Sequence, residues 1–86
     1  MNEIIWHNRA RKSIVRIPDP YRSAIHDHVD RLAEFPSCSE LDIKPLKSHK
    51  YGYRLRVGRY RVLFDHVDTI RIIKIQEVKK RDERTY

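Results

Sequence analysis

Residues 53–64 read YRLRVGRYRVLF, and this stretch decides the fold. Apolar or aromatic side chains alternate with arginines on both sides of Gly58-Arg59. A β-strand sends successive side chains to opposite faces, so each half reads as a strand with one dry and one charged face. Gly58 supplies the positive φ that a two-residue hairpin loop demands. In that register Val57 lies opposite Tyr60, Arg56 opposite Arg61, Leu55 opposite Val62, Arg54 opposite Leu63 and Tyr53 opposite Phe64. Tyr53, Leu55, Val57, Tyr60, Val62 and Phe64 then form the core face. Gly52, Arg54, Arg56 and Arg61 form the other.

Working outward, strands are expected over Tyr51–Val57, Tyr60–Val67 and Ile70–Glu77, with a second two-residue turn at Asp68-Thr69. That turn puts Ile73 and Ile75 on the core face and sets Lys74 and Gln76 beside Leu63 and Arg61. Residues 36–50 read as a loop anchored by Leu41, Ile43 and Leu46, with Lys44, Lys47, His49 and Lys50 exposed. Upstream, Asn2–Trp6 reads as a strand. Asn8 caps a helix running to Ile17, with Ala10, Ile14 and Ile17 on one stripe. Asp19 followed by Pro20 opens a second helix that runs to about Glu34 and is closed by Pro36. Tyr21, Ile25, His28, Leu32 and Phe35 mark its buried face. The expected class is α+β. An N-terminal strand, an αα-hairpin and a three-strand antiparallel meander build a four-stranded antiparallel sheet with the helices on one face.

The chain has 86 residues, which is one domain, residues 1–86, with a thin two-layer core. Cys38 is the only cysteine, so no internal disulfide forms, and a lone thiol fits a reducing cytoplasm. No apolar run approaches the roughly 20 residues that span a bilayer. The N-terminal apolar segment is too short for a secretory signal. A cytoplasmic location with no membrane partner is expected. No group of His, Cys, Asp or Glu has metal-ligand spacing, so neither metal nor cofactor is expected. The net charge is +7 and lopsided. Residues 1–43 hold six Lys/Arg against seven Asp/Glu, whereas residues 44–86 hold thirteen against five. Such a field attracts polyanions, either nucleic acid or an acidic protein.

Arg56 opposite Arg61 is the informative pair. Like charges directly opposite in a sheet repel, and a sequence shaped only for folding would set a carboxylate there. Three guanidinium groups on one face suit a phosphate, which accepts bidentate hydrogen bonds from them. The alternative is a solvent-washed face with splayed arginines. His28 and His66 read as structural. His49, on the basic loop, is a candidate general acid.

The basic loop KPLKSHK, the hairpin YRLRVGRYRVLF and the ending EVKKRDERTY together resemble the RelE/ParE superfamily of toxins from type II toxin–antitoxin modules, over nearly the whole chain. The resemblance implies the fold just described and, on its RelE-like branch, a metal-free endoribonuclease that cleaves mRNA in the ribosomal A site and so inhibits translation. The ParE-like branch keeps the fold and poisons gyrase without cutting RNA. The RNA-cutting pattern falls here on Arg54 and Arg56, on Arg61, on Arg81 beyond the sheet, and on Tyr86 near the C-terminus. Two lysines common on the first hairpin strand are replaced here by Gly52 and Arg54.

The chemistry so implied is attack of a ribose 2′-hydroxyl on the adjacent phosphodiester, leaving a 2′,3′-cyclic phosphate. Tyr86 takes the 2′ proton. An unperturbed phenol, with pKa near 10, is mostly neutral at pH 7, and neighbouring Arg54, Arg61 and Arg81 favour its phenolate. Arg61 and Arg81 clamp the non-bridging oxygens as charge builds. Arg56 positions the backbone, with Lys44, Lys47, Lys50, Lys79 and Lys80 as further RNA and ribosome contacts. The donor to the leaving 5′-oxygen stays open between Arg54, water and a histidine. The implied partners are mRNA, the ribosome with its rRNA, and a cognate antitoxin whose acidic or amphipathic segment covers the basic face or displaces the C-terminal tail.

Overall fold

The computed structural model describes residues 1–81. Its elements are β1 (Glu3–Trp6), α1 (Asn8–Ile14), α2 (Tyr21–Asp30), β2 (Asp42–Pro45), β3 (Tyr53–Val57), β4 (Tyr60–Val67) and β5 (Ile72–Lys80). The strands form one sheet in the order β1-β5-β4-β3-β2. The class is α+β, as the sequence implies.

The sheet has five strands where four are read from the sequence, because β2 comes from the segment read as a loop. Ile43 is its one apolar residue, too little alternation to mark a strand. The edge of β3 makes it one, by pairing with Asp42 to Pro45 through backbone groups that need partners. Pro45 has no N–H to donate and is tolerated because β2 is an edge strand. β1 differs too: it runs parallel to β5, from Glu3↔Ile72 to Trp6↔Ile75. No tight turn joins these two strands. The rest of the chain lies between them and supplies the long connection a parallel pair needs.

The β3–β4 hairpin has the expected register throughout, and Gly58 sits at φ 58°. Leu55, Val62 and Phe64 are wholly buried with Ile25, Val29, Leu32, Ile73 and Ile75. Each such side chain contributes on the order of 2 kcal/mol. A one-residue slip would turn the hairpin's share out to water, so the register is strongly held.

The next connection departs from the two-residue turn. A 3₁₀ turn over Asp68–Ile70 is followed by Arg71 in the left-handed region at φ 53°. Val67 therefore pairs with Ile72. A bulge then shifts the pairing again, from Phe64↔Ile75 to Leu63↔Glu77, leaving Gln76 as the extra residue. Burial gives the cause. Ile73, Ile75 and Val78 all enter the core, and the step of three from 75 to 78 needs one added residue in a period-two strand. Glu77 and Lys79, and not Lys74 and Gln76, thus lie beside Leu63 and Arg61.

Ala10, Ile14 and Ile17 are buried as their spacing predicts, although regular helix ends at Ile14. His7 is the cap in place of Asn8, its Nδ1 accepting the Arg9 N–H at 3.1 Å. Asp19 accepts from the Ser23 N–H at 3.1 Å and the Ser23 hydroxyl at 2.7 Å, which holds the start of α2. A 3₁₀ turn over Arg31–Glu34 prolongs α2 towards Pro36. The buried stripe is Ile25, Val29 and Leu32. Tyr21 stands 52% exposed against the Tyr60 ring, and half-buried His28 turns its Nδ1 to the Ala24 carbonyl at 2.7 Å. The stripe rotates toward Val29 because an imidazole needs polar partners that an aliphatic core cannot give.

No helix among the described residues is long and apolar enough to cross a membrane.

Candidate functional site

The charges on the sheet face away from the helices follow from the register. One row across the strands is Asp42, Arg56, Arg61, Lys79, and the next is Lys44, Arg54, Leu63, Glu77. The outer positions carry carboxylates. Asp42 lies 3.5 Å from Arg54 Nη1 and 3.9 Å from Arg56 Nε, and Glu77 lies 3.8 Å from Lys79 Nζ. The arginines are therefore not free of acid, because β2 delivers Asp42 to their flank. Asp42 is 55% exposed and its contacts are long, so each pair contributes at most about 1 kcal/mol.

Arg61 is different. It has a cation on each side in its row, Arg56 from β3 and Lys79 from β5. Its Nε is out of contact with solvent and has no hydrogen-bond partner among the described residues. A buried donor left unpaired costs about 1–3 kcal/mol. A guanidinium cannot shed its proton to relieve that cost. An acceptor with negative charge would.

Such an acceptor has a place to sit. Arg54, Arg56, Arg61, Lys79 and Arg81 line a groove of about 350 Å³. Lys44, Leu46 and His49 complete its lining from β2 and the loop that follows, and Leu63 contributes an apolar surface. Arg81 arrives because its N–H donates to the Arg59 carbonyl at 2.6 Å, carrying the chain past β5 alongside the hairpin turn.

His49 accepts the Tyr51 N–H on Nδ1 at 3.0 Å. With Nδ1 engaged, the neutral ring carries its proton on Nε2 and offers a hydrogen-bond donor. To serve as a general acid the ring would first have to release Tyr51. His66 packs edge-on against Phe35 with Nε2 3.8 Å from Asp68, a structural place. Tyr51 is buried under a hydrogen bond from Arg9, and Tyr53 is stacked on Phe64, so neither ring is free to stack on a base.

Of the residues singled out in the sequence, the groove gathers Arg54, Arg56, Arg61, Arg81, Lys44, Lys79 and His49. Lys47 and Lys50 are exposed on the loop outside it, Lys50 lying 5.3 Å above the Tyr51 ring. Lys80 pairs with Tyr60 and lines a separate, larger groove of about 730 Å³ with Arg9, Lys12, Arg16 and Arg59. Tyr86 lies outside the described residues. Sequence reading misses Asp42 and Glu77, and takes Leu46 only as a loop anchor. The odd spacing between Ile75 and Val78 is the signal that would have found Glu77.

A two-layer α+β fold that keeps its helices on one face and gathers cations round a groove on the other defines a small protein with a basic sheet face. The model for the ParE toxin of type II toxin–antitoxin systems matches residues 4–85, and the chain belongs to this family of the RelE/ParE superfamily. It is a toxin of a toxin–antitoxin system. A search of curated proteins returns no match. Among solved structures, RelE of the archaeal RelE–RelB complex from Pyrococcus horikoshii is 24% identical with TM-score 0.80, over 95% of this chain and 97% of that one. The RelBE2 toxin–antitoxin complex of Mycobacterium tuberculosis gives 22% and 0.76, over 93% and 98%. The isolated Escherichia coli RelE toxin gives 15% and 0.79, over 99% and 89%. At these identities the likeness is one of fold.

Proposed function

We propose that this toxin is an endoribonuclease that cleaves mRNA, with the ribosomal A site as the place of cleavage and the cytoplasm as the compartment. The observation that carries this reading is Arg61, a permanent cation between two others whose buried Nε lacks an acceptor among the described residues. A pentavalent phosphorane bears more negative charge on its oxygens than the diester it comes from. Donors held in advance on rigid strands favour it over the ground state. Arg61 and Arg81 are assigned to the non-bridging oxygens, with Arg54 beside them and Arg56, Lys44 and Lys79 holding the flanking backbone. Lys47 and Lys50 extend this cation set along the loop, and Lys80 lies apart.

Tyr86 is assigned as the base that takes the 2′ proton, a role carried by resemblance alone. His49, as a neutral donor from Nε2, suits a hydrogen bond to phosphate better than proton transfer. The neutralising partner is a cognate antitoxin, as in the RelE–RelB complexes of similar fold. The larger groove beneath α1 sets five cations round Ile17, Pro18 and Val78 and suits an acidic amphipathic segment of that antitoxin.

Primer extension on a translated mRNA after induction is the test. Discrete cuts within codons, reproduced by purified toxin on programmed ribosomes, are expected. Growth arrest with intact mRNA and stalled gyrase–DNA complexes would replace this reading with the gyrase-directed one.

A further inference from the structure

Asp65, on β4, has no place in the chemistry above, yet it is half-buried and fully engaged. One oxygen, Oδ1, accepts the Gly52 N–H at 2.7 Å. The other, Oδ2, accepts from Gln76 Nε2 at 3.0 Å, so the extra residue of the β5 bulge serves this carboxylate. Gly52 is also held on its other side, where its carbonyl accepts the Leu46 N–H at 2.9 Å. These bonds close the base of the loop between β2 and β3. Inside that loop lie Lys47, Ser48 in the left-handed region at φ 52°, His49 and Lys50. Any Cβ at position 52 would stand 3.2 Å from Asp65 Oδ1, tighter than ordinary contact. With any larger residue there the carboxylate would have to give by a few tenths of an ångström, so glycine lets it approach undisturbed.

We propose that Asp65 is a positioning residue for the basic loop, acting through the Gly52 amide. It touches no RNA. Its carboxylate, steadied by Gln76, fixes the start of β3 and with it the wall that sets Leu46 and His49 beside Arg54 and Arg61. A hydrogen bond to a carboxylate is roughly twice as strong as a neutral one, which suits a single clasp on a solvent-exposed loop. The kinetic part of this proposal rests on the ribonuclease reading; the structural part does not.

The test compares Asp65→Ala with Asp65→Asn in the full chain, released from its antitoxin. Asparagine keeps an oxygen for Gly52, and its amide nitrogen can donate to a flipped Gln76. Asp65→Ala should speed amide hydrogen exchange at Gly52 and Leu46 and weaken RNA affinity about tenfold, the worth of one charged hydrogen bond. Single-turnover cleavage at saturating RNA should stay near wild type, because the β3–β4 ladder from Tyr53↔Phe64 to Val57↔Tyr60 holds Arg54 and Arg61 without the Asp65 clasp. Asp65→Asn should stay within about twofold of wild type on both measures. Gly52→Ala reaches the same contact from the other side and should reproduce the alanine effect with Asp65 in place. The proposal is overturned if Gly52 stays protected in Asp65→Ala, if asparagine loses as much as alanine, or if the loss falls on the saturated rate. A wild-type chain that cuts no RNA would sink the ribonuclease reading, while the exchange measurement still decides the role of Asp65.

Discussion

Arg61 illustrates how a side chain can be poorly placed for folding and well placed to receive an anion. Arg56 and Lys79 flank it, its Nε lacks an acceptor among the described residues, and its charge is permanent. Arg61→Ala is expected to slow single-turnover RNA cleavage by roughly a hundredfold or more. The same variant should melt at or above the wild-type temperature, since it removes both the repulsion and the unpaired donor. A fall in Tm with unchanged cleavage would assign Arg61 to the fold. Arg61→Lys restores the charge but not the planar fork, so its rate should lie between the two. Tyr86→Phe deletes only the hydroxyl and is expected to slow cleavage by about 10²–10⁴ while sparing ribosome binding. Undiminished cleavage would move the base elsewhere.

Among the elements, α2 shows how one short segment carries its own pH dependence. The Ser23 hydroxyl, then the Ser23 N–H, and then Arg22 at 3.1 Å hold the Asp19 carboxyl below its ordinary value of 3.8. A carboxylate whose folded pKa is depressed stabilises the fold above its unfolded value, and that contribution is lost as pH falls through the lowered one. Asp19→Ala should therefore lower Tm at neutral pH, and its gap from wild type should close as the solution is acidified below the carboxylate range. Thermal melts at several pH values would show this. A gap that does not change with pH would mean that the ionised carboxylate is not what holds the helix start.

At the scale of the whole molecule, the excess charge is divided between two faces. The groove on the open sheet face and the groove beneath α1 are each lined with cations, on opposite sides of the sheet. RNA binding should weaken steeply with salt as counterions are released. Replacing Lys44, Lys47 and Lys50 with glutamine should reduce the slope of log K against log salt by about 2, using the single-strand value of 0.7 per contact. An unchanged slope would remove the loop from the RNA interface. Reversing charge at Lys12 on α1 and at Arg16 just beyond it, both exposed, should weaken antitoxin binding and leave cleavage intact. Equal loss of both would mean that the two faces bind one partner.

The hairpin of β3 and β4 was legible residue by residue, because strict alternation and Gly58 left one register that buries Leu55, Val62 and Phe64 together. So were the buried stripe of α1 and the Asp19 anchor of α2, both matters of local spacing. The basic face followed from the same alternation, and with it Arg54, Arg56 and Arg61 as its centre. What sits beside that centre was decided only in three dimensions. β2 is a strand because β3 offers it a bare edge, a property of the partner and not of the segment DIKP. Glu77 and Lys79 reach the basic face because three core residues of β5 demand a bulge, and Lys80 is sent to the far side by the same step. Gly52 and Asp65 meet across thirteen positions of chain with no period to join them. Alternation along a strand is a local property that a sequence displays, whereas partners across strands are chosen by competition for burial and for hydrogen bonds in the assembled sheet.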